Sequence, residues 1–315
     1  MKAVLHYRAS EGFRAELARQ AAEAGVDTAV VDETDDAAFA REFADADVML
    51  HVLKPVTAQM MDQAPRLKLI QKLGVGVNTI DLASARQRGV AVANMPGVNS
   101  QAVAEMTLAL MLAVLRRVTY FDPLVRAGDG WQPDLAVLDS VGEISGRTIG
   151  FVGYGEVPKR LAPALQALGA EMIYTARTAR TDAVGRFCDL AEVVERADIL
   201  SLHIPLTEDT RGVIDGLALW RMKRGAILIN TARGELVDQQ ALCEALTAGQ
   251  LGGAGLDVFN GEPVDPADPL LALPNVVLAP HVAWLTPETL ARSLEAAFDN
   301  CRRLRDGAPL LNQVV

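Results

Sequence analysis

Three ionisable side chains stand in a set order in the last third of the chain. Arg233 lies in INTARGELVD, Glu262 in GLDVFNGEP and His281 in VVLAPHVAWLT. They supply a permanent cation, a carboxylate and an imidazole. Reduction of a 2-oxo acid by a nicotinamide uses those three groups: the cation holds the substrate carboxylate, the imidazole moves a proton, and the carboxylate holds and charges the imidazole. A free imidazole titrates at about 6.5. A neighbouring carboxylate would raise that value and keep the acid form available near neutrality. Taken singly, each residue has a plainer use as surface charge, loop residue or strand-end feature. Their joint placement at the carboxyl ends of successive strands, where open α/β sheets bind ligands, favours the chemical use.

A glycine-rich loop precedes them. Residues 150–158 read GFVGYGEVP, and the loop falls between an apolar run and a helical pattern. That context is what gives a G-x-G its meaning. Gly153 permits the tight turn. Gly155 lets a pyrophosphate approach the backbone, and the helix start at Glu156 and Val157 supplies N–H donors and a positive dipole end. Pro158 stands where a third glycine is usual. Proline is tolerated in a first helical turn, so a shifted helix is expected and not lost binding. About 20 residues further on, an acidic residue would bind an unmodified ribose. The chain has YTARTAR (174–180) there, with Ala176 at the acidic position and Arg177 and Arg180 after it. Guanidinium groups suit a 2′-phosphate, so NADP(H) is favoured and NAD(H) remains open.

Strand and helix patterns alternate along the chain, which is the mark of parallel α/β architecture. Strands are expected at 2–7, 28–31, 47–52, 68–73 and 90–93. A second series of six follows at 148–155, 171–175, 198–204, 226–230, 254–258 and 275–279. Helices are expected at 13–24 and 80–88, with a long apolar one over 99–118; Asn94 and Ser100 flank the expected crossing between domains, and Ser100 either caps that helix or lines the cleft. Residues 286–306 read as a last helix, capped by Thr286, started by Pro287 and ended by Gly307. It has no strand to serve and is expected to cross back to the first unit. The expected fold is α/β with two doubly wound parallel-sheet domains. One is a Rossmann dinucleotide-binding domain over 99–285. The other is a smaller flavodoxin-like substrate domain built from both chain ends, 1–98 and 286–315.

The bulk properties exclude several other classes. The net charge of −10 argues against a nucleic-acid surface, which needs clustered Lys and Arg. Cys188, Cys243 and Cys301 are scattered and odd in number, so neither a disulfide framework nor a metal site is expected. The N-terminus has no signal-peptide pattern, and Met106 to Leu115 is too short to span a bilayer. A cytoplasmic protein with no membrane partner is expected.

At this point the chain resembles the D-2-hydroxyacid dehydrogenase family over nearly its whole length. The matching segments include LGVGVNTIDL (73–82), NMPGVNSQAVAEMTLALML (94–112), SLHIPLTEDT (201–210), MKRGAILINTARGELVD (222–238), GLDVFNGEP (255–263) and PHVAWLT (280–286). The resemblance implies two domains with a cleft between them, a homodimer, and a small 2-oxo or 2-hydroxy acid as substrate. It implies that Arg233 binds substrate, His281 is the acid/base and Glu262 its partner. Val75 and Gly76 resemble a second carboxylate anchor made of backbone N–H groups. His203 and Pro205 resemble the segment that passes the cofactor, or are a strand-end turn. Thr231 and Asp257 resemble residues near the nicotinamide amide. HVAW resembles the hydroxypyruvate and glyoxylate reductase branch, in which Trp284 either walls the substrate pocket or packs at the domain junction. Met106 departs from the histidine that many relatives carry. The loop HVLKPVT (51–57) lacks the Arg-Ser pair of phosphoglycerate dehydrogenases, leaving His51 and Lys54 and favouring an unphosphorylated substrate. Glu262 speaks against formate oxidation, where glutamine is usual. A cofactor-sensing binding protein of the same fold is the alternative from another class.

Overall fold

The apolar runs of the first hundred residues form five parallel strands: β1 (Lys2–His6), β2 (Asp27–Val31), β3 (Val48–His51), β4 (Leu69–Lys72) and β5 (Ala91–Ala93). Their order, β2-β1-β3-β4-β5, is that of a flavodoxin-like sheet. Every residue of β3 and β4 is buried, as expected of parallel strands covered on both faces. The computed structural model describes residues 1–315, and the chain divides into one unit of Met1–Asn99 with Trp284–Val315 and another of Ser100–Ala283.

The last helix, Pro287–Asp306, belongs to the first unit for reasons visible in its residues. Thr286 caps it by accepting from the Thr289 N–H at 3.1 Å, and Gly307 ends it in the left-handed conformation. Its buried face, including Leu290, Leu294, Ala297 and Phe298, packs on the helix Glu11–Ala24. Burying each such Leu or Phe contributes about 1.5–3 kcal/mol. Polar ties fix the docking: Gln20 Nε2 donates to the Ala291 carbonyl at 3.0 Å, and Asn300 Nδ2 donates to Gln71 Oε1 on β4 at 2.7 Å.

The second unit carries β6 (Thr148–Val152), β7 (Glu171–Thr175), β8 (Arg186–Phe187), β9 (Ile199–Leu202), β10 (Ala226–Asn230), β11 (Leu251–Leu256) and β12 (Val276–Leu278). The order β8-β7-β6-β9-β10-β11-β12 contains the six-strand dinucleotide-binding arrangement plus one more strand. The sheet has seven strands and not the six expected from the sequence. The seventh, β8, is a two-residue exposed edge that no apolar run could announce. The long apolar helix is also shorter than expected, spanning Ser100–Leu115, because Arg117 takes a left-handed φ of 52° and starts a separate helix, Val118–Ala127. Ser100 is the first helical residue and not its cap. That helix lies close to β11 because the strand is glycine-rich: a Cβ on Gly255 would stand 2.9 Å from Leu110 Cβ, and one on Gly253 would stand 2.7 Å from Val114 Cγ1.

Candidate active site

The carboxyl ends of β10, β11 and β12 deliver Arg233, Glu262 and His281 to one side of the second unit. His281 follows β12 by three residues and adopts a φ of +56°, a conformation that costs a non-glycine residue on the order of 1–2 kcal/mol. Asp257, just past β11, holds it there. The His281 N–H donates to the Asp257 carbonyl at 2.8 Å, and the Asp257 carboxylate accepts from Val282 N at 2.8 Å and Ala283 N at 2.9 Å. Burial pushes the Asp257 carboxyl upward, and the two N–H groups oppose that shift. The sequence reading placed Asp257 near the nicotinamide amide; in the structure its carboxylate clamps the turn that aims His281.

Glu262 is held from both sides. Oε1 accepts from the Phe259 N–H at 3.0 Å, and Oε2 accepts from His281 Nδ1 at 2.6 Å. Burial disfavours the Glu262 carboxylate. The bonded imidazole, the Phe259 N–H and the Arg233 charge outweigh that and bring its pKa below the usual range. Hydrogen bonding at Nδ1 selects the tautomer and directs Nε2 to the proton-transfer role.

Arg233 sits in a loop shaped by Asn230, the buried last residue of β10. Asn230 Oδ1 accepts from Ala232 N at 3.0 Å, and Nδ2 donates to the Arg233 carbonyl at 2.8 Å. Arg233 Nη1 donates to the Ala232 carbonyl at 2.6 Å. The next residue, Gly234, lies so close to the Glu262 loop that a Cβ would stand 2.0 Å from the Phe259 carbonyl carbon. The Arg233 and Glu262 loops therefore pack as one. Burial lowers the Arg233 pKa, and the charges of Glu262 and Glu235 oppose this. A half-buried guanidinium beside a bonded carboxylate–imidazole pair can bind an organic anion and deliver a proton to it.

The glycine loop fits a dinucleotide. Gly153 has a φ of +95°, and a Cβ there would lie 2.5 Å from the His203 carbonyl oxygen. The loops after β6 and β9 thus meet closely where the strand order reverses. At Gly155 a Cβ would meet nothing within 4 Å, so the space a pyrophosphate requires is open. Gly155 is the N-cap of the helix Glu156–Ala167 and offers no capping side chain. Pro158 is buried in the first turn without disrupting it. The Glu156 carboxylate is turned to Arg160 at 2.8 Å, which offsets its charge near the helix start.

The remaining candidates fall in various settings. The His203 ring bonds Ser201 Oγ through Nε2 at 2.9 Å, and burial pushes its pKa down to about 3, so the neutral ring serves packing while its backbone borders Gly153. Pro205 accepts at its carbonyl from Thr210 Oγ1 at 2.7 Å and forms part of a turn. Thr231 Oγ1 is 3.0 Å from Thr107 Oγ1. Arg177 is exposed, and Arg180 Nε reaches Asp182 at 3.5 Å. Val75 and Gly76 belong to the first unit, where Asn94 Nδ2 donates to the Val75 carbonyl at 2.8 Å. Trp284 also belongs to the first unit and is buried with its ring 6.4 Å from that of Tyr7. Sequence reasoning missed Asp257 as a clamp and Asn230 as a loop former, since neither side chain differs in type from an ordinary strand-end polar residue.

Comparison with known proteins is consistent with this geometry. Residues 108–283 match the family described as D-isomer specific 2-hydroxyacid dehydrogenase, NAD binding domain. A glyoxylate reductase of Korarchaeum cryptofilum is 40% identical over 282 residues, covering 86% of this chain and 84% of that one. A hydroxypyruvate reductase of Thermotoga maritima is 36% identical over 242 residues, 75% of this chain and 77% of its own. The crystal structure of the TT0316 protein from Thermus thermophilus superimposes with a TM-score of 0.89 at 38% identity, covering 100% of both chains.

Proposed function

Because this chain belongs to the D-isomer specific 2-hydroxyacid dehydrogenases, and is therefore an oxidoreductase with an NAD-binding domain, we propose that it reduces a small 2-oxo acid of the glyoxylate or hydroxypyruvate type to the D-2-hydroxy acid. The observation that carries the proposal is the 2.6 Å His281–Glu262 pair beside the Arg233 cation at the carboxyl ends of adjacent strands. Arg233 binds the substrate carboxylate and orients the carbonyl. A reduced nicotinamide, held by the Gly153–Gly155 loop, would supply the hydride for the carbonyl carbon. His281 gives its Nε2 proton to the carbonyl oxygen, so one hydride and one proton convert the carbonyl to the alcohol. Glu262 stabilises the imidazolium before transfer and fixes the ring through Nδ1. In the reverse direction neutral His281 accepts the hydroxyl proton.

The substrate is unphosphorylated in this reading. Lys54 Nζ is already engaged by Asp36 at 2.7 Å and by the Glu33 carbonyl at 2.8 Å, while burial pushes the His51 ring down to about 3 and keeps it neutral. Neither offers a phosphate an uncommitted charge. NADP(H) is the preferred cofactor: Ala176 removes the carboxylate that would repel a 2′-phosphate, and Arg177 and Arg180 supply positive charge. The partner is a second copy of the chain, and the compartment is the cytoplasm, where the unpaired Cys188, Cys243 and Cys301 would stay reduced.

The test is loss of reduced-nicotinamide absorbance with NADPH and NADH in parallel, using glyoxylate, hydroxypyruvate, pyruvate, phenylpyruvate and phosphohydroxypyruvate. Turnover of glyoxylate or hydroxypyruvate with a lower KM for NADPH is expected. Turnover with NADH alone would discard the arginine reading and keep the enzyme. Tight cofactor binding with no turnover of any oxo acid would bring forward the cofactor-sensing alternative.

A further inference from the structure

The segment from Ala176 to Val184 has no helix or strand of its own, and Arg177 to Asp182 are exposed throughout. Such a segment would ordinarily be mobile. Two buried phenols hold it. Tyr174, at the end of β7, accepts at its hydroxyl from Arg180 N at 2.8 Å and donates to the Arg180 carbonyl at 3.3 Å. Tyr154, between the two glycines of the cofactor loop, accepts from Val184 N at 2.8 Å and donates to the Val184 carbonyl at 3.3 Å. Each hydroxyl thus uses its single proton and one lone pair on the two backbone groups of one residue. The two rings stand 4.5 Å apart by centroid, so the attachments share one rigid base. Lys159 adds a third tie, 2.7 Å from Asp182.

The rings alone account for the packing, since phenylalanine would fill the same volume. The hydroxyls add something packing does not need, which is a fixed path for the backbone that bears Arg177 and Arg180. Guanidinium groups held in place bind an anion without first losing the freedom of their own backbone. Tyr154 belongs to the loop that cradles the pyrophosphate, so the pinning also relates the arginines to the part of the site common to both nicotinamide dinucleotides.

We infer that Tyr154 and Tyr174 are positioning residues for cofactor discrimination, holding the Arg177–Arg180 segment where it engages the 2′-phosphate of NADP(H). The inference rests on the NADP(H) reading of those arginines. It concerns binding, with no role in hydride or proton transfer.

The experiment compares the wild type with Tyr174→Phe, Tyr154→Phe with Tyr174→Phe, and Arg177→Ala with Arg180→Ala, all as the full chain. Dissociation constants for NADPH and NADH are taken from nicotinamide fluorescence. Trypsin cleavage after Arg177 and Arg180 is timed without ligand. Loss of one hydroxyl should raise the Kd for NADPH about fivefold, and loss of both about tenfold or more, with NADH changed by less than about twofold. Cleavage in the ligand-free double phenylalanine variant should speed up about tenfold. Equal weakening of both cofactors, or unchanged cleavage, would overturn the positioning role. If the alanine pair weakens NADPH selectively and the phenylalanine variants do not, the arginine reading stands and the tyrosine inference falls. If the alanine pair weakens neither selectively, the arginine reading itself fails and takes the inference with it.

Discussion

At the residue scale, the chemistry depends on how few ways His281 can sit. Its left-handed φ is stabilised by four backbone and carboxylate contacts around Asp257 and Ala279, and its Nδ1 is committed to Glu262. His281→Ala removes the proton donor and should lower kcat by about 10²–10⁴ with cofactor affinity nearly intact. Glu262→Gln keeps the shape but removes the charge that favours the imidazolium. It should lower kcat by about 10–10², because the imidazole loses the partner charge that supports proton transfer. Steady-state kinetics check both, and an unchanged kcat in Glu262→Gln would remove the electrostatic role. The carboxyl of Glu262 has a depressed pKa, so the stability it contributes is present above its unfolded pKa and is lost as pH falls through the folded value. The three residues stood out in sequence because their types complement one another. Asp257 stood out only as a residue resembling those near the nicotinamide amide; its hold on the His281 turn was not legible, because only its two N–H contacts show it.

At the scale of elements, the ends of strands carry both function and risk. In the first unit, β1 ends on His6 and β3 on His51. His6 is buried, stacked at 3.9 Å on Phe39, and neither ring nitrogen has a partner. Burial, with the Lys54 charge, lowers its pKa to about 4 against the pull of Asp36 and Asp32. Burial and the Lys72 charge lower that of His51 to about 3, opposed by the bond to the Lys54 carbonyl. A folded pKa below the unfolded value of about 6.5 means that the unfolded chain binds protons first as pH falls. Stability is therefore full above about 6.5 and is lost progressively as pH drops toward the folded values. His6→Phe keeps the stack on Phe39 and removes one of these groups. Between pH 7 and pH 5 it should lose about 2 kcal/mol less stability than the wild type. Urea unfolding of the full chain at the two pH values measures this, and an identical loss in both proteins would contradict it. Strand positions were legible from apolar runs, whereas β8 was not, because a two-residue exposed edge carries no hydrophobic period.

At the scale of the whole molecule, one stretch of the second unit is unusually apolar on its outside. The helix Val118–Ala127 buries no residue, and Val118, Val125, Trp131, Leu135 and Leu138 are all exposed, Trp131 by 90%. Exposed apolar side chains of this kind are candidates for an interaction surface, and the proposed second copy of the chain is the partner they would meet. Trp131→Glu with Leu135→Glu should convert a dimer to a monomer in sedimentation velocity while leaving the far-UV circular dichroism unchanged. A monomeric wild type would end that reading. The sequence by itself determined the two parallel sheets, the return of the last helix to the first unit, and the pairing of His281 with Glu262. The sheets and the helix follow from local periodicity and cap residues, which are short-range properties of the chain, and the pairing from side-chain chemistry together with the family resemblance. Only the tertiary structure decided that Asp257 holds the His281 turn, that Gly234 lets the Arg233 and Glu262 loops merge, and that two phenols fasten the arginine segment. Those contacts join residues that are distant in sequence or ordinary in type, and their meaning comes from distances that exist only once the sheet has set the strand ends side by side.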